Sequence, residues 1–277
     1  MNNSSHFAET AAQIAREAAA IIEDLRRQSI GYELKGDADL VTAADRASEE
    51  HITARLREAF PDHSIVAEEG NNHAARSGYC WYVDPLDGTT NFAHGFPIYN
   101  TTLALEKDGE MIAGVVFDGT RNEMFLAEKG AGAYLNAQRI SVSGAARVED
   151  ALYATGFPSR RRHLNINIHF YYQLAMISHG VRRGGSAAID LAYVACGRLD
   201  GFWEFGLNPW DMAAGKLLIE EAGGFVTDMH GGPHVLSSPH ILATNAGVQG
   251  PTLELFEAIF ENRAPYPLPE VTIYKRA

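Results

Sequence analysis

From residue 84 to residue 92 the chain reads Asp-Pro-Leu-Asp-Gly-Thr-Thr-Asn-Phe. Just before it, Cys80-Trp81-Tyr82-Val83 is a short apolar run that predicts a buried strand. The strand leads into two carboxylates, Asp84 and Asp87. Pro85 removes a backbone donor and fixes φ, so the strand is expected to stop there. Gly88 permits a tight turn or the close approach of a ligand. Thr89 and Thr90 suit the first turn of a short helix, where free amide groups face an anion. Two acids able to hold a divalent cation thus adjoin a phosphate cradle, the pairing that metal-assisted phosphate chemistry needs. A lone Asp-Pro-x-Asp-Gly also describes a strand ending in an Asx-type turn with solvated acids. Here the motif has company: Glu68-Glu69 follows the apolar run Ser64–Ala67, and Trp210-Asp211 stands at a predicted helix start. Several acids at element ends, with no adjacent basic run to neutralise them, favour a metal site.

The elements that must position these acids follow from periodicity. Ile14, Ala18, Ile21, Ile22 and Leu25 recur at helical spacing opposite a charged face, with Gly31 and Gly36 in the loop that follows. Thr42-Ala43-Ala44-Asp45 fits a capping box and opens a second helix whose Ile52, Leu56 and Phe60 face the core, ending near Pro61. Asp45 is accounted for as a cap alone, and equally as a residue supporting the site. Residues 71–78 form a polar loop, expected to be mobile and ordered by metal binding. From Tyr99 the pattern turns to strands: 101–105, 111–117 and 123–127, joined by Lys107-Asp108-Gly109-Glu110 and Asp118-Gly119-Thr120-Arg121-Asn122, make an antiparallel meander. Gly130-Ala131-Gly132-Ala133 and Asn136-Ala137-Gln138 are read as further turns.

The pattern shifts near Ser143-Gly144-Ala145-Ala146, dividing the chain into an N-terminal α+β half, 1–145, with most of the acids, and a C-terminal α/β half, 146–277, with Asp211. The second half begins with a strand at 151–155. Arg160-Arg161-Arg162-His163 is the main basic run, read as a solvated loop or, alternatively, as a substrate-phosphate or partner contact. A helix runs through 170–177. Ser186 caps a helix over 187–195 that Gly197 ends. Residues 200–205 form an apolar strand carrying Glu204. Asn208-Pro209 then opens the helix that bears Asp211, and Gly223-Gly224 ends it. The tail around Pro265–Pro269 is expected to be extended or disordered. Helices, a meander and a second strand–helix set indicate α/β layers.

At 277 residues, 46% hydrophobic and 21% charged, the chain can bury a large core as one large domain or two subdomains. A net charge of −12 argues against a general nucleic-acid binder. It also means that a phosphate ester is repelled at long range, so something positive must offset the field locally, and Mg²⁺ is the simplest candidate. Cys80 and Cys196 sit in apolar runs and read as buried thiols, not a disulfide. There is no signal pattern and no apolar run of ~18 residues, so a soluble, cytoplasmic protein without membrane contact is expected. None of the eleven histidines stands in a zinc-type motif. His63, His73 and His94 are assigned surface or supporting roles.

Residues 81–94, Trp-Tyr-Val-Asp-Pro-Leu-Asp-Gly-Thr-Thr-Asn-Phe-Ala-His, resemble the first signature of the inositol monophosphatase family. Residues 210–215, Trp-Asp-Met-Ala-Ala-Gly, followed by Glu220-Glu221-Ala222-Gly223-Gly224, resemble the second. Asp39–Asp45 and Glu68-Glu69-Gly70 extend the resemblance over nearly the whole chain, in the family's order. It implies a layered α-β-α-β-α sandwich with the site between the halves. It implies a phosphoric monoester hydrolase with two or three Mg²⁺ per site, sensitive to lithium and homodimeric. By resemblance, Glu68, Asp84 and the Leu86 carbonyl bind a first metal, and Asp84, Asp87 and Asp211 a second. Glu68 and Thr89 position a metal-activated water for direct in-line attack, with Asp45 bonded to the threonine. The amides of Gly88, Thr89 and Thr90 cradle the phosphate, Glu204 accepts a substrate hydroxyl, and Ser186 and Ala187 line the alcohol side.

Lys35 resembles a lysine found near the metals in some members, although its spacing to Asp45 is one residue short. Ala67 replaces a frequent glycine, and Asn208-Pro209 departs from the animal enzymes near the alcohol pocket. These departures bear on the substrate more than on the metal chemistry. The small phosphorylated substrate expected first is myo-inositol 1-phosphate. Fructose 1,6-bisphosphate, histidinol phosphate and 3′-phosphonucleotides stand as alternatives, and a non-enzymatic role as a partner in a transcription complex is the rival from another class.

Overall fold

The structure, a computed structural model, describes residues 3–28, 32–36, 39–157 and 165–268. The first half comprises α1 (Asn3–Arg27), β1 (Tyr32–Gly36), β2 (Asp39–Thr42), α2 (Ala43–Ala59), β3 (Ser64–Ala67), β4 (Tyr79–Asp87), α3 (Thr89–Ala93), β5 (Asn100–Lys107), β6 (Glu110–Asp118), β7 (Glu123–Glu128), β8 (Gly132–Leu135) and β9 (Gln138–Arg139). The second half adds β10 (Leu152–Thr155), α4 (Asn167–Ile177), β11 (Gly180–Arg182), α5 (Ala187–Ala195), β12 (Gly201–Phe205), α6 (Pro209–Glu221), β13 (Phe225–Thr227), β14 (His240–Thr244) and α7 (Ala246–Phe260).

Two sheets carry the fold. Strands β3 to β9 lie in chain order in a seven-stranded sheet, antiparallel except for the β3–β4 pair. The expected meander is therefore longer than its three strands: Gly132 and Ala133 belong to β8 and Gln138 to β9, with the turns confined to the residues between. Gly36 likewise ends β1, which pairs with β2, instead of lying in a loop. The second sheet has the order β11-β10-β12-β14-β13, mixed parallel and antiparallel.

Side-chain alternation along the strands assigns the layers. Leu103, Leu105 and Val115 point to a core shared with α1 and α2, whereas Ala104 and Val116 point to α5 and α6. In the second sheet Phe202, Ile241 and Ala243 meet α5 and α6 from the other side, and Trp203 and Leu242 pack on α4 and α7. The order α1/α2, sheet, α5/α6, sheet, α4/α7 is the α-β-α-β-α sandwich. Close approach of α6 to the first sheet depends on a missing side chain: a Cβ on Gly114 would sit 3.1 Å from the Ala214 backbone.

Cys80 and Cys196 are free and half-buried, less enclosed than their apolar surroundings predict. His63 belongs to the core, where its Nδ1 accepts from the Trp81 indole at 3.1 Å and its ring stacks on Tyr79. Among the described residues no helix is long and apolar enough to cross a membrane. The side chain of Lys35, the basic run at 160–163 and the tail from residue 269 lie outside the described residues.

Candidate active site

Pro85 does not end β4. The strand continues to Asp87, and its pairing to β5 slips from Asp84 opposite Thr102 to Asp87 opposite Asn100, so three residues span what two span on the partner. This is a bulge, where an unpaired position tolerates a proline. The Pro85 carbonyl accepts from Ser48 (3.2 Å) and Thr101 (3.0 Å), which fixes the bulge. Asp84 Oδ1 accepts from the Leu86 amide at 3.0 Å. Gly88 follows with φ +92°, and a Cβ there would come within 2.8 Å of the Ile98 carbonyl, so this turn requires glycine.

Asp87 is held by residues of both halves of the chain. Its Oδ2 accepts from Ser186 Oγ (2.6 Å), the Ala188 amide (2.9 Å) and Asn100 Nδ2 (3.1 Å). The carboxylate therefore lies against the N-terminus of α5, where the dipole favours negative charge. Ser186 also caps Ile189 through its hydroxyl at 3.2 Å and accepts from Asn100 Nδ2 at 2.8 Å. Asp211, at the start of α6, accepts the Asn208 amide at 2.7 Å through Oδ2.

Glu68 follows β3 on a segment tied down by a residue that the sequence reading missed. Buried Glu49 of α2 accepts from the Glu69 amide (2.6 Å), the Asn71 amide (2.9 Å) and Asn71 Nδ2 (2.9 Å). These bonds anchor the start of the polar loop to α2. Asp45 makes the contacts of both readings given above. Its Oδ2 accepts from the Thr42 amide (2.8 Å) and hydroxyl (2.6 Å), completing the capping box, while Oδ1 accepts from Thr89 Oγ1 at 2.9 Å.

Glu68, Asp84, Asp87 and Asp211 line one cavity of about 470 Å³, together with Leu86, Gly88 and Thr89. Ser186, Ala187 and Glu204 line the same cavity. Asp45 does not line it and reaches it through Thr89; Thr90 is exposed and outside the lining. Among the described residues no histidine lines it. Asp190, Arg183 and Trp210 do line it without having been singled out as cavity residues, and the Trp210 indole nitrogen is buried with no partner.

The electrostatics are those of excess negative charge. Burial lifts the Asp84 carboxyl well above the usual carboxylate range, and Glu68, Asp87 and Asp211 push it further. Burial and then Asp87 do the same for Asp211. Burial also raises Asp87, against the bonds from Ser186 and Ala188. Glu204 is pushed up to about 8 by burial, Asp190 and Asp87, with Arg183 opposing.

Hard oxygen donors crowded together with little compensating cation suit a divalent ion such as Mg²⁺. Among the described residues no three such side chains are already gathered closely enough to hold an ion. Asp84, Asp87 and Asp211 each accept from backbone or side-chain donors through one oxygen, and Asp84 is also hydrogen-bonded to Glu68. A stability prediction follows from the signs. Folded-state values above the unfolded 3.8 and 4.5 mean that the folded protein binds extra protons, so this contribution is present in acid and lost as pH rises. In EDTA the melting temperature should therefore fall between pH 4.5 and about 8, the span of the Glu204 shift. Mg²⁺ should restore it increasingly toward pH 8. Parallel melting curves with and without Mg²⁺ across that range would contradict a cation site here.

Residues 3–263 match the inositol monophosphatase family. The chain belongs to that family. An inositol-1-monophosphatase from Mesorhizobium japonicum is 45% identical over 225 residues, 80% of this chain and 84% of that protein. A Pseudomonas aeruginosa relative, named Nus factor SuhB, is 46% identical over 226 residues, covering 79% and 83%. The inositol monophosphatase structure from Anabaena superposes with a TM-score of 0.83 at 36% identity, over 99% of this chain and 100% of that one. As an inositol monophosphatase family member the chain has the fold of a phosphatase, and the family's metal dependence accords with the carboxylate wall.

Proposed function

We propose that this chain hydrolyses a small phosphate monoester in a Mg²⁺-dependent reaction, and that myo-inositol 1-phosphate is the substrate. One observation carries the reading: Glu68, Asp84, Asp87 and Asp211 share a cavity with the N-terminus of α3, and Glu204 faces them from the second half. Glu68, Asp84, the Leu86 carbonyl, Asp87 and Asp211 are the residues that would hold two or three Mg²⁺. When bound, the ions supply neutralisation of the phosphoryl oxygens, a more acidic water and stabilisation of the leaving alkoxide. The amides of Gly88 and Thr89 orient the phosphate; Thr90, expected to join them, stands outside the lining. Thr89, donating its proton to Asp45, presents lone pairs to the attacking water, and Glu68 shares the task of placing it. Attack is direct, since no side chain is required as a covalent carrier. Glu204 accepts a hydroxyl of the alcohol, and Ala187 shapes that side of the cavity. Lithium inhibition and a homodimer belong to the same reading as consequences of family membership.

Phosphate release should be measured with Mg²⁺ and with EDTA on inositol 1-phosphate, fructose 1,6-bisphosphate, histidinol phosphate and adenosine 3′,5′-bisphosphate. Mg²⁺-dependent release from inositol 1-phosphate above the other three is the expected result. Preference for another ester would keep the mechanism and replace the substrate. The relative named as a Nus factor favours a second reading, in which association with a transcription complex is the main role and turnover is incidental.

A further inference from the structure

The cavity lining from the second half of the chain includes two buried carboxylates, and the reading above uses only Glu204. The other, Asp190, is 5% exposed and lines the cavity from α5, one helical turn beyond Ser186. Among the described residues nothing donates a hydrogen bond to its carboxylate; the charges acting on it are those of Asp87 and Arg183. The backbone is shaped to leave space around both acids. A Cβ on Gly184 would lie 2.9 Å from Asp190 Oδ1, and a Cβ on Gly156 would collide with the Glu204 carboxylate.

The Asp190 oxygens are not among the fully enclosed unpaired atoms, so the carboxylate opens on the cavity, and its donors come from whatever occupies that space. Arg183 already offsets part of the negative charge at both Asp190 and Glu204. What this corner lacks is hydrogen-bond donors more than countercharge. We propose that Asp190 is a specificity-determining residue: together with Glu204 it accepts hydrogen bonds from two neighbouring hydroxyls of the leaving alcohol, so that the site selects polyol phosphates over esters of simple alcohols. The inference rests on the phosphatase reading and deepens it.

The test compares kcat/KM for myo-inositol 1-phosphate with kcat/KM for p-nitrophenyl phosphate, whose leaving group carries no hydroxyl donor besides the scissile oxygen. Asp190→Ala should lower this ratio by between about 10- and 100-fold, mainly through KM, as expected for hydrogen bonds to a charged group. Asp190→Asn, nearly isosteric and still an acceptor, should lower it less. An unchanged ratio, whether both esters lose together or neither does, would overturn the assignment. So would a selective loss on histidinol phosphate, which would make the corner a site for a cation. If the wild-type chain releases phosphate from none of these esters, the phosphatase reading fails by itself. The inference is then read from thermal stabilisation by myo-inositol in the presence of Mg²⁺ and inorganic phosphate. Stabilisation that Asp190→Ala abolishes would sustain it; stabilisation of both proteins alike, or of neither, would overturn it.

Discussion

Asp87→Asn should reduce kcat for phosphate release on the order of 10³-fold or more while the protein remains folded. The fold survives because the amide oxygen of the new side chain can accept from Ser186, Ala188 and Asn100, the three donors that Asp87 Oδ2 serves. What is lost is the charged oxygen left for a cation. Asp211→Asn should behave alike, its amide oxygen retaining the Asn208 bond. The two variants also carry a signature that a merely damaged protein lacks. Asp84, Asp87 and Asp211 repel one another across a buried wall, so removing one charge should hold or raise the melting temperature in EDTA and shrink the stabilisation by Mg²⁺. Near-normal turnover in either variant would sink the metal assignment. The same Asp87→Asn protein separates the two functional readings: restoring the phenotype of a deletion strain with it would favour the interaction role.

How much of this site was legible depended on whether a residue's task was local. The bulge acids Asp84 and Asp87, the Gly88 turn, the Thr42–Asp45 capping box and the Ser186 and Asn208 helix starts all follow from neighbours a few residues away, where type and spacing have direct meaning. Glu49 shows the opposite case. In sequence it is one of a Glu-Glu pair on an amphipathic helix and reads as solvated charge; only the fold brings residues 69 and 71 to it. Asp190 did leave a trace, an acid inside the apolar helix Ala-Ala-Ile-Asp-Leu-Ala-Tyr-Val-Ala, which signals either a buried partner or a cavity. Pro85 misled because its missing N–H was set against a regular ladder, whereas a bulge has a place for it. Beyond Gly224 the strands are only three and five residues long and α7 contains Pro251, so neither periodicity nor breaker signals assigned β13, β14 and α7.

The acidic chain also poses a problem that the proposed cation site would answer. A net charge of −12 opposes the approach of a phosphate dianion, and the carboxylate wall sharpens that opposition at close range. If the wall binds Mg²⁺ as proposed, two ions would neutralise its four carboxylates while the rest of the surface kept its charge. Phosphate should therefore bind more tightly with Mg²⁺ than in EDTA, which calorimetry on the two forms would check.

Thr89→Ala should slow turnover by about 10²-fold or more, a typical loss for a residue that handles a proton in the transition state. Thr89 Oγ1 has one proton and two acceptors in reach, Asp45 Oδ1 at 2.9 Å and the Leu86 carbonyl at 3.1 Å, so its lone pairs remain directed to the cavity. Asp45 is wholly buried; burial raises its carboxyl and the Thr42 and Thr89 bonds pull it back. If the pair works as one unit, Asp45→Asn should produce a comparable loss, because a side chain that can donate toward Thr89 reverses the direction of the bond. The double variant should then be little slower than the worse single one. Stability separates the two positions: Asp45→Asn weakens the capping box of α2 and should cost about 1 kcal/mol, whereas Thr89→Ser should keep both fold and rate. Losses that multiply in the double variant, or a Thr89→Ala enzyme within a few-fold of wild type, would show that the hydroxyl only braces the turn after Gly88 and that the water is placed by Glu68 without it.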